Sequence, residues 1–232
     1  MLAPLAALLL AASPTSTPRP ALEATLHQFA RLVEVRDLAI SPDGKRVAWG
    51  HSLNGPHGPL HDRSALWVLD LATAGARPVR VTTCAGPRGC AEDSPVFSPD
   101  GRTLAFLADP TGTGQQQLFL APAAGGPPRK LSALSGALSD PRWSPDGTSV
   151  AVLVVEGDPS AAGPLGPAAK DLGEVQAVVH ERRIAVLPAR GGPAALVSPD
   201  DLFVYEYDWS PDGTAFAYTA AHGSGDDNWW TA

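Results

Sequence analysis

ISPDGKRVAW (Ile40–Trp49), FSPDGRTLAF (Phe97–Phe106), WSPDGTSVAV (Trp143–Val152) and WSPDGTAFAY (Trp209–Tyr218) are one ten-residue phrase written four times. Successive copies are 57, 46 and 66 residues apart. A constant phrase with variable spacing marks a structural repeat whose connecting loops lengthen freely. Within the phrase, Pro presets φ at the second turn position, Asp bonds back to nearby amides, and Gly accepts positive φ. Apolar and aromatic residues flank the turn, so each phrase is predicted to be a tight β-hairpin, with Phe97, Trp143 and Trp209 buried between adjacent sheets. The alanine common to all four (Ala48, Ala105, Ala151, Ala217) predicts a place where neighbouring sheets approach closely.

Outward from each phrase the pattern continues. A third strand follows at Leu66–Leu69, Leu118–Leu120 and Ile184–Leu187, and then a Gly/Pro turn at 75–78, 125–128 and 191–193. A short fourth strand follows at Val79–Thr82, Arg129–Ser132 and Ala195–Ser198. Four strands in roughly 45 residues is the make-up of a β-propeller blade. The fold class is therefore all-β: a propeller of four-stranded antiparallel blades, incomplete at about three and a half blades. The blades fall near 34–83, 91–135, 138–198 and 203–232, so the domain covers 34–232.

Composition agrees. The chain has 232 residues, 44% hydrophobic, with 24 Pro and 23 Gly, which fits one turn-dense globular domain. Net charge is −7, only three of the seventeen basic residues are lysines, and no stretch concentrates them, so the footprint of a nucleic-acid binder is missing. MLAPLAALLLAA followed by SPTSTPRPA is too short an apolar run to span a bilayer as a helix and has the length of a secretory h-region. No basic residue precedes it, and Pro14 follows the best small-x-small site. Residues 1–21 are accordingly expected to be a signal peptide and spacer, and the chain to be exported to the periplasm or extracellular space. Cys84 and Cys90 flank a Gly/Pro turn in TTCAGPRGCAED. Without a nearby His they make no four-ligand zinc site, and after export a local disulfide is expected, worth about 2 kcal/mol on the chain-entropy argument.

At these residues the chain resembles two groups of WD-like propellers. One is the TolB-type periplasmic propellers; the other is the N-terminal propeller of the prolyl oligopeptidase family of serine peptidases. FVYEYDWSPDGTAFAYTAAHGSGDDNWWTA (Phe203–Ala232) is similar to the acylaminoacyl-peptidase and dipeptidyl-peptidase branch of the second. That resemblance implies a propeller that gates peptide access to a C-terminal α/β-hydrolase domain, with no cofactor. The peptide substrate would be met through that further domain. Glutamates before the equivalent turn hold a substrate ammonium in the dipeptidyl-peptidase branch; here Glu206 stands alone before Tyr207, and is the one substrate-contact candidate the resemblance offers.

No catalytic residue is assigned, because no Gly-x-Ser-x-Gly elbow is present. Gly50-His51-Ser52-Leu53-Asn54-Gly55 has its second glycine one place too far and reads as a loop. His51, His57, His61 and Asp62 share a Gly/Pro-rich stretch, also read as a loop and as too flexible to hold a metal, so the metal assignment is none. His180-Glu181-Arg182-Arg183-Ile184 opens like a zincin helix but has Ile184 in place of the second His and runs into a strand. Glu156–Gly173 reads as a long loop within the third blade. By strand alternation, Phe203, Tyr205, Tyr207 and Trp209 are expected on one face and Val204, Glu206 and Asp208 on the other. A TolB-like interaction propeller without enzymatic activity is the alternative function. A channel-metal enzyme would need inward carboxylates from several blades, and the matching positions Ala39, Val96, Arg142 and Asp208 supply one.

Overall fold

In the computed structural model, residues 35–55, 58–81, 90–156 and 181–222 are described, with backbone alone for 53–55 and 58–62. The signal-peptide region, Cys84, His57, His180, most of the Glu156–Gly173 stretch and the chain beyond 222 lie outside them. The described residues contain no helix. Three four-stranded antiparallel sheets follow one another: β1 (Val35–Ile40), β2 (Arg46–Gly55), β3 (Gly58–Asp70) and β4 (Val79–Val81); then β5 (Ala91–Phe97), β6 (Thr103–Asp109), β7 (Gln117–Pro122) and β8 (Arg129–Lys130); then β9 (Gly136–Trp143), β10 (Ser149–Glu156), β11 (Arg182–Pro188) and β12 (Ala195–Leu196). A two-stranded sheet of β13 (Leu202–Trp209) and β14 (Phe216–His222) comes last. Each sheet is a meander in chain order, the blade topology of an open, incomplete propeller.

Every Ser-Pro-Asp-Gly forms the turn between the first and second strands of its sheet. In each, the Gly amide donates to the Ser carbonyl at 2.8–2.9 Å, and the Gly φ lies between 68° and 71°, where a side chain is disfavoured. The Ser hydroxyl donates to the Asp carboxylate at 2.6–2.7 Å and accepts the amide five residues on at 2.9–3.0 Å. The same Asp oxygen accepts the amide two residues on. These bonds stabilise the anionic form and hold the carboxyls of Asp43, Asp100, Asp146 and Asp212 below their ordinary 3.8, the Ser hydroxyl being the leading cause in each.

The cores lie between sheets. Ala48, Leu66 and Val68 of the first sheet meet Leu104, Phe106 and Phe119 of the second. Leu107, Leu118 and Leu120 meet Val150, Val152 and Leu187 of the third. Ala151, Leu153 and Ile184 meet Val204 and Tyr207 of the fourth. The turns nest in the same order: a Cβ on Gly101, Gly147 or Gly213 would lie 3.7, 3.5 or 3.4 Å from Cδ of Pro42, Pro99 or Pro145, the proline of the preceding turn. Ala48, Ala105 and Ala151 are fully buried, as close approach requires, whereas Ala217 is exposed because no described sheet covers that face.

Several expectations need correction. Phe97 is buried, but Trp143 and Trp209 are only half-buried. Their indole N–H groups donate to backbone carbonyls of the preceding sheet, at Val96 (3.2 Å) and Arg142 (3.3 Å), which places each ring at the seam rather than in the core. The Gly50–Gly55 segment with His51 is strand, not loop, and so is His61: β2 and β3 form one long hairpin paired from Arg46–Asp70 out to Gly55–Gly58. The fourth strands of the second and third sheets end earlier than read, at Lys130 and Leu196, while Thr82 lies outside the described residues.

Candidate functional site: the converging first strands

Adjacent sheets are tied along their first strands β1, β5, β9 and β13 by hydrogen bonds from Ser94, Trp143, Tyr207 and Trp209 to the first strand of the preceding sheet. The first three each break register with β-bulges whose extra residue is a non-glycine at positive φ: Asp37 (52°), Ser94 (51°) and Asp140 (47°). Each stands four residues before its turn serine, and Glu206 holds that place in the fourth sheet. Asp and Ser suit such a backbone, since short polar side chains tolerate it best. The result is a row of polar groups from successive sheets at one level. The Ser94 amide donates to Asp37 Oδ2 at 3.3 Å across the first seam.

β13 also carries a bulge, between Val204 and Glu206. The extra residue, Tyr205, breaks the expected alternation: Val204 (0% exposed) joins Tyr207 and Trp209 in one cluster instead of opposing them. Arg182, at the start of β11, fixes the bulge by donating to the carbonyls of Val204 (2.6 Å) and Tyr205 (3.1 Å) while lying 4.6 Å over the Phe203 ring. Glu206 and Asp208 project into solvent on the other side. Glu206 Oε1 accepts the Thr219 hydroxyl at 3.1 Å, which orients the carboxylate without covering it.

Next to it is a charged knot centred on Arg142. The Arg142 guanidinium lies 3.1 Å from Asp140 Oδ2, 3.6 Å from Asp208 Oδ2 and 5.4 Å over the Tyr207 ring. Partial burial works against its charge, but Asp140 and Asp208 raise its pKa all the same. Burial pushes the Tyr207 phenol well above its ordinary value, so it stays protonated, and its hydroxyl donates a hydrogen bond to the Asp140 carbonyl at 2.7 Å. On β5, burial pushes the Asp93 carboxyl up against the hydrogen bond from Gln116 Nε2 (2.6 Å). The arrangement offers exposed carboxylates beside fixed donors. That suits recognition of a cationic or hydrogen-bonding group, and it contains no nucleophile–base pair.

The other sequence candidates fall elsewhere. His51 sits on β2, where Nε2 accepts the Trp67 indole N–H at 3.1 Å, so its proton is on Nδ1. Burial and the nearby Arg80 lower its pKa and keep it neutral. Ser52 is buried within β2, far from any strand-to-helix elbow. Among the described residues no three His, Cys, Asp or Glu side chains group as metal ligands. Arg182–Ile184 open β11 as strand, as read. Cys90 is buried at the first seam, its Sγ 3.4 Å from Glu92 Oε1. Sequence reading passed over that fully buried glutamate, whose Oε2 accepts the Leu66 amide at 3.3 Å and whose backbone pairs with the Ser64 hydroxyl. It also passed over Asp37, Ser94 and Asp140, although their constant offset from the turn serine was available to find them.

No family model matches the chain. It is 35% identical over 134 residues to the uncharacterized peptidase YuxL of Bacillus subtilis, a match covering 58% of this chain and 19% of that protein. Its fold is similar to that of a prolyl endopeptidase (TM-score 0.56, 16% identity, 88% of this chain and 29% of the other). It is similar also to TolB from Acinetobacter baumannii (TM-score 0.51, 19% identity, 80% and 37%). The chain thus spans about a fifth of its curated relative and about a third of these structures. It is an open β-propeller, similar to the propeller portions of prolyl-oligopeptidase-type peptidases and to TolB.

Proposed function

We propose that this chain is the non-catalytic, substrate-gating propeller portion of an exported serine peptidase of the prolyl oligopeptidase type, acting on peptides, with the α/β-hydrolase domain lying beyond Ala232. The observation that carries the reading is the 35% identity to a peptidase of which this chain matches a fifth. The match takes in 58% of this chain and 19% of that protein, so most of the relative lies outside the matched propeller segment. In such an enzyme the row of Asp37, Ser94, Asp140 and Glu206 would line the path a peptide follows. The exposed Glu206 carboxylate would meet a free N-terminal ammonium. Export would leave Cys84 and Cys90 linked across their turn.

The alternative is a TolB-like interaction propeller with no enzymatic activity, favoured by the fold likeness to TolB. Sequencing the coding region downstream of Ala232 separates the two. Further blades followed by a Gly-x-Ser-x-Gly elbow are expected. A stop after at most seven blades, with no elbow, would overturn the peptidase reading and leave the interaction propeller.

A further inference from the structure

The repeat is broken in concert at one seam. Between the second and third sheets a groove of about 620 Å³ opens along the Ser-Pro-Asp-Gly turns. Both of its walls are internal, because the first sheet packs on the second and the fourth packs on the third. At the preceding seam Arg46 reaches across and donates from Nη1 to the Gly101 carbonyl of the next turn at 3.1 Å. The second sheet has Thr103 in that place, too short to cross, so the space between it and Gly147 stays open.

Two further departures put cations on this groove. Arg102 lines it where the third and fourth sheets have Thr148 and Thr214, whose hydroxyls bond back to their own turn carboxylates at 2.9 Å. Arg129 lines it where the first and third sheets have Val79 and Ala195: these pair with Val68 and Val186 as Arg129 pairs with Leu120. Arg129 Nη2 donates to the Ala189 carbonyl of the third sheet at 2.5 Å. Its other N–H groups, and the whole guanidinium of Arg102, make no hydrogen bond among the described residues. Trp143 lines the groove half-buried, its indole N–H already given to Val96, with Pro99 and Pro122 nearby. The carboxylates on the groove are Asp100 and Asp146. Both oxygens of Asp146 accept from Thr148, whereas Asp100 takes its turn donors on Oδ1 and leaves Oδ2 open.

We propose that this groove binds the C-terminal end of a peptide. Arg102 and Arg129 take the carboxylate, Asp100 Oδ2 accepts a backbone N–H, and the last side chain lies against Trp143, Pro99 and Pro122. Guanidinium forks match a planar carboxylate, and the acceptor and apolar walls beside them fit a peptide end better than a bare anion. The volume is that of a small-ligand site. Glu206 has no part in this contact, and binding alone reads it, so it stands or falls apart from the peptidase reading.

Equilibrium dialysis of the purified 232-residue chain against N-acetyl-Ala-Ala-Phe and its C-terminal amide tests it, with inorganic phosphate as a third probe. The acetyl group removes the ammonium that Glu206 would meet. One acid peptide per chain is expected, held about tenfold or more tighter than the amide and tighter than phosphate. Arg102→Thr and Arg129→Ala install residues of the sister sheets at exposed positions, and circular dichroism checks that both variants fold. Each should weaken the acid about tenfold with little effect on the amide. Lys45→Thr removes an exposed cation from the Arg102 position of the first sheet and should leave binding as it was. No saturable binding of the acid, equal binding of acid and amide, phosphate held as tightly as the peptide, acid binding that survives both arginine changes, or an equal loss in Lys45→Thr would each overturn the proposal.

Discussion

Replacing Phe106 with Ala and Tyr218 with Ala changes the same repeat position twice and should give very different costs. Phe106 is fully buried in the first seam, with its ring 5.9 Å from that of Phe119 and 23° from parallel. Truncation there removes a whole aromatic side chain from among Leu66, Leu104 and Phe119 and leaves a cavity the rigid strands cannot collapse, a loss of about 3–5 kcal/mol. Tyr218 occupies the same place in the fourth sheet but is 42% exposed. Truncation there should cost about 1 kcal/mol or less, in line with other changes away from a core. For a domain of this size a kcal/mol moves Tm by roughly 2–4 °C, so Phe106→Ala should melt about 6–20 °C below wild type and Tyr218→Ala within about 4 °C of it. Urea and thermal unfolding followed by far-UV circular dichroism read both, at a concentration where the wild type and both variants share one oligomeric state. Equal losses at the two positions, or a loss below about 1 kcal/mol at Phe106, would refute the claim that stability resides in the seams between sheets.

Ser98→Ala should cost about 1–3 kcal/mol, because the Thr103 amide loses the buried Ser98 hydroxyl as its acceptor. The lowered Asp carboxyls of the four turns contribute stability that is present above their ordinary value of 3.8 and is lost as pH falls below it toward their folded values. The wild type should therefore lose Tm below about pH 4, and the gap to Ser98→Ala should narrow there; a gap that widens would contradict the Ser98–Asp100 pairing. Non-reducing peptide mapping of exported material should find one Cys84–Cys90 linked peptide, whereas two alkylated thiols would rule the link out. On the proposed peptidase reading, Glu206→Gln in the full-length protein should raise KM for peptides with a free N-terminus far more than for blocked ones; equal changes would return Glu206 to a solvated carboxylate with no role in binding.

The turns and second strands were legible because their chemistry is local: Ser, Pro, Asp and Gly fix the hairpin, and the residues after them alternate across a sheet. The bulges were not. A period-two reading of Phe203–Trp209 set Val204 against Tyr207, and only the extra residue at Tyr205, held by Arg182 from the neighbouring sheet, puts them on one side. Asp37, Ser94 and Asp140 share a constant offset from the turn serine, but the offset alone does not show that each is the extra, left-handed residue of a bulge; that is set by pairing with the second strand of the same hairpin. The outer part of the β2–β3 hairpin, Gly50–Gly55 and 58–62, reads as loop because Gly50, Gly55, Gly58 and Pro59 punctuate it. Its pairing comes from the strands on either side, through His51, Ala65 and the Trp49–Trp67 pair. The half-burial of Trp143 and Trp209 depended on carbonyls one blade away, which no local pattern shows.

Fluorophosphonate labelling in the source cells, followed by capture with an antibody against residues 35–222 and peptide mass spectrometry, tests the central claim most directly. The account predicts a polypeptide longer than 232 residues, carrying one labelled serine in a Gly-x-Ser-x-Gly segment beyond Ala232, with the serines of the four turns untouched. Stoichiometric labelling at a serine within residues 1–232, or a captured polypeptide that carries no label at all, would contradict it.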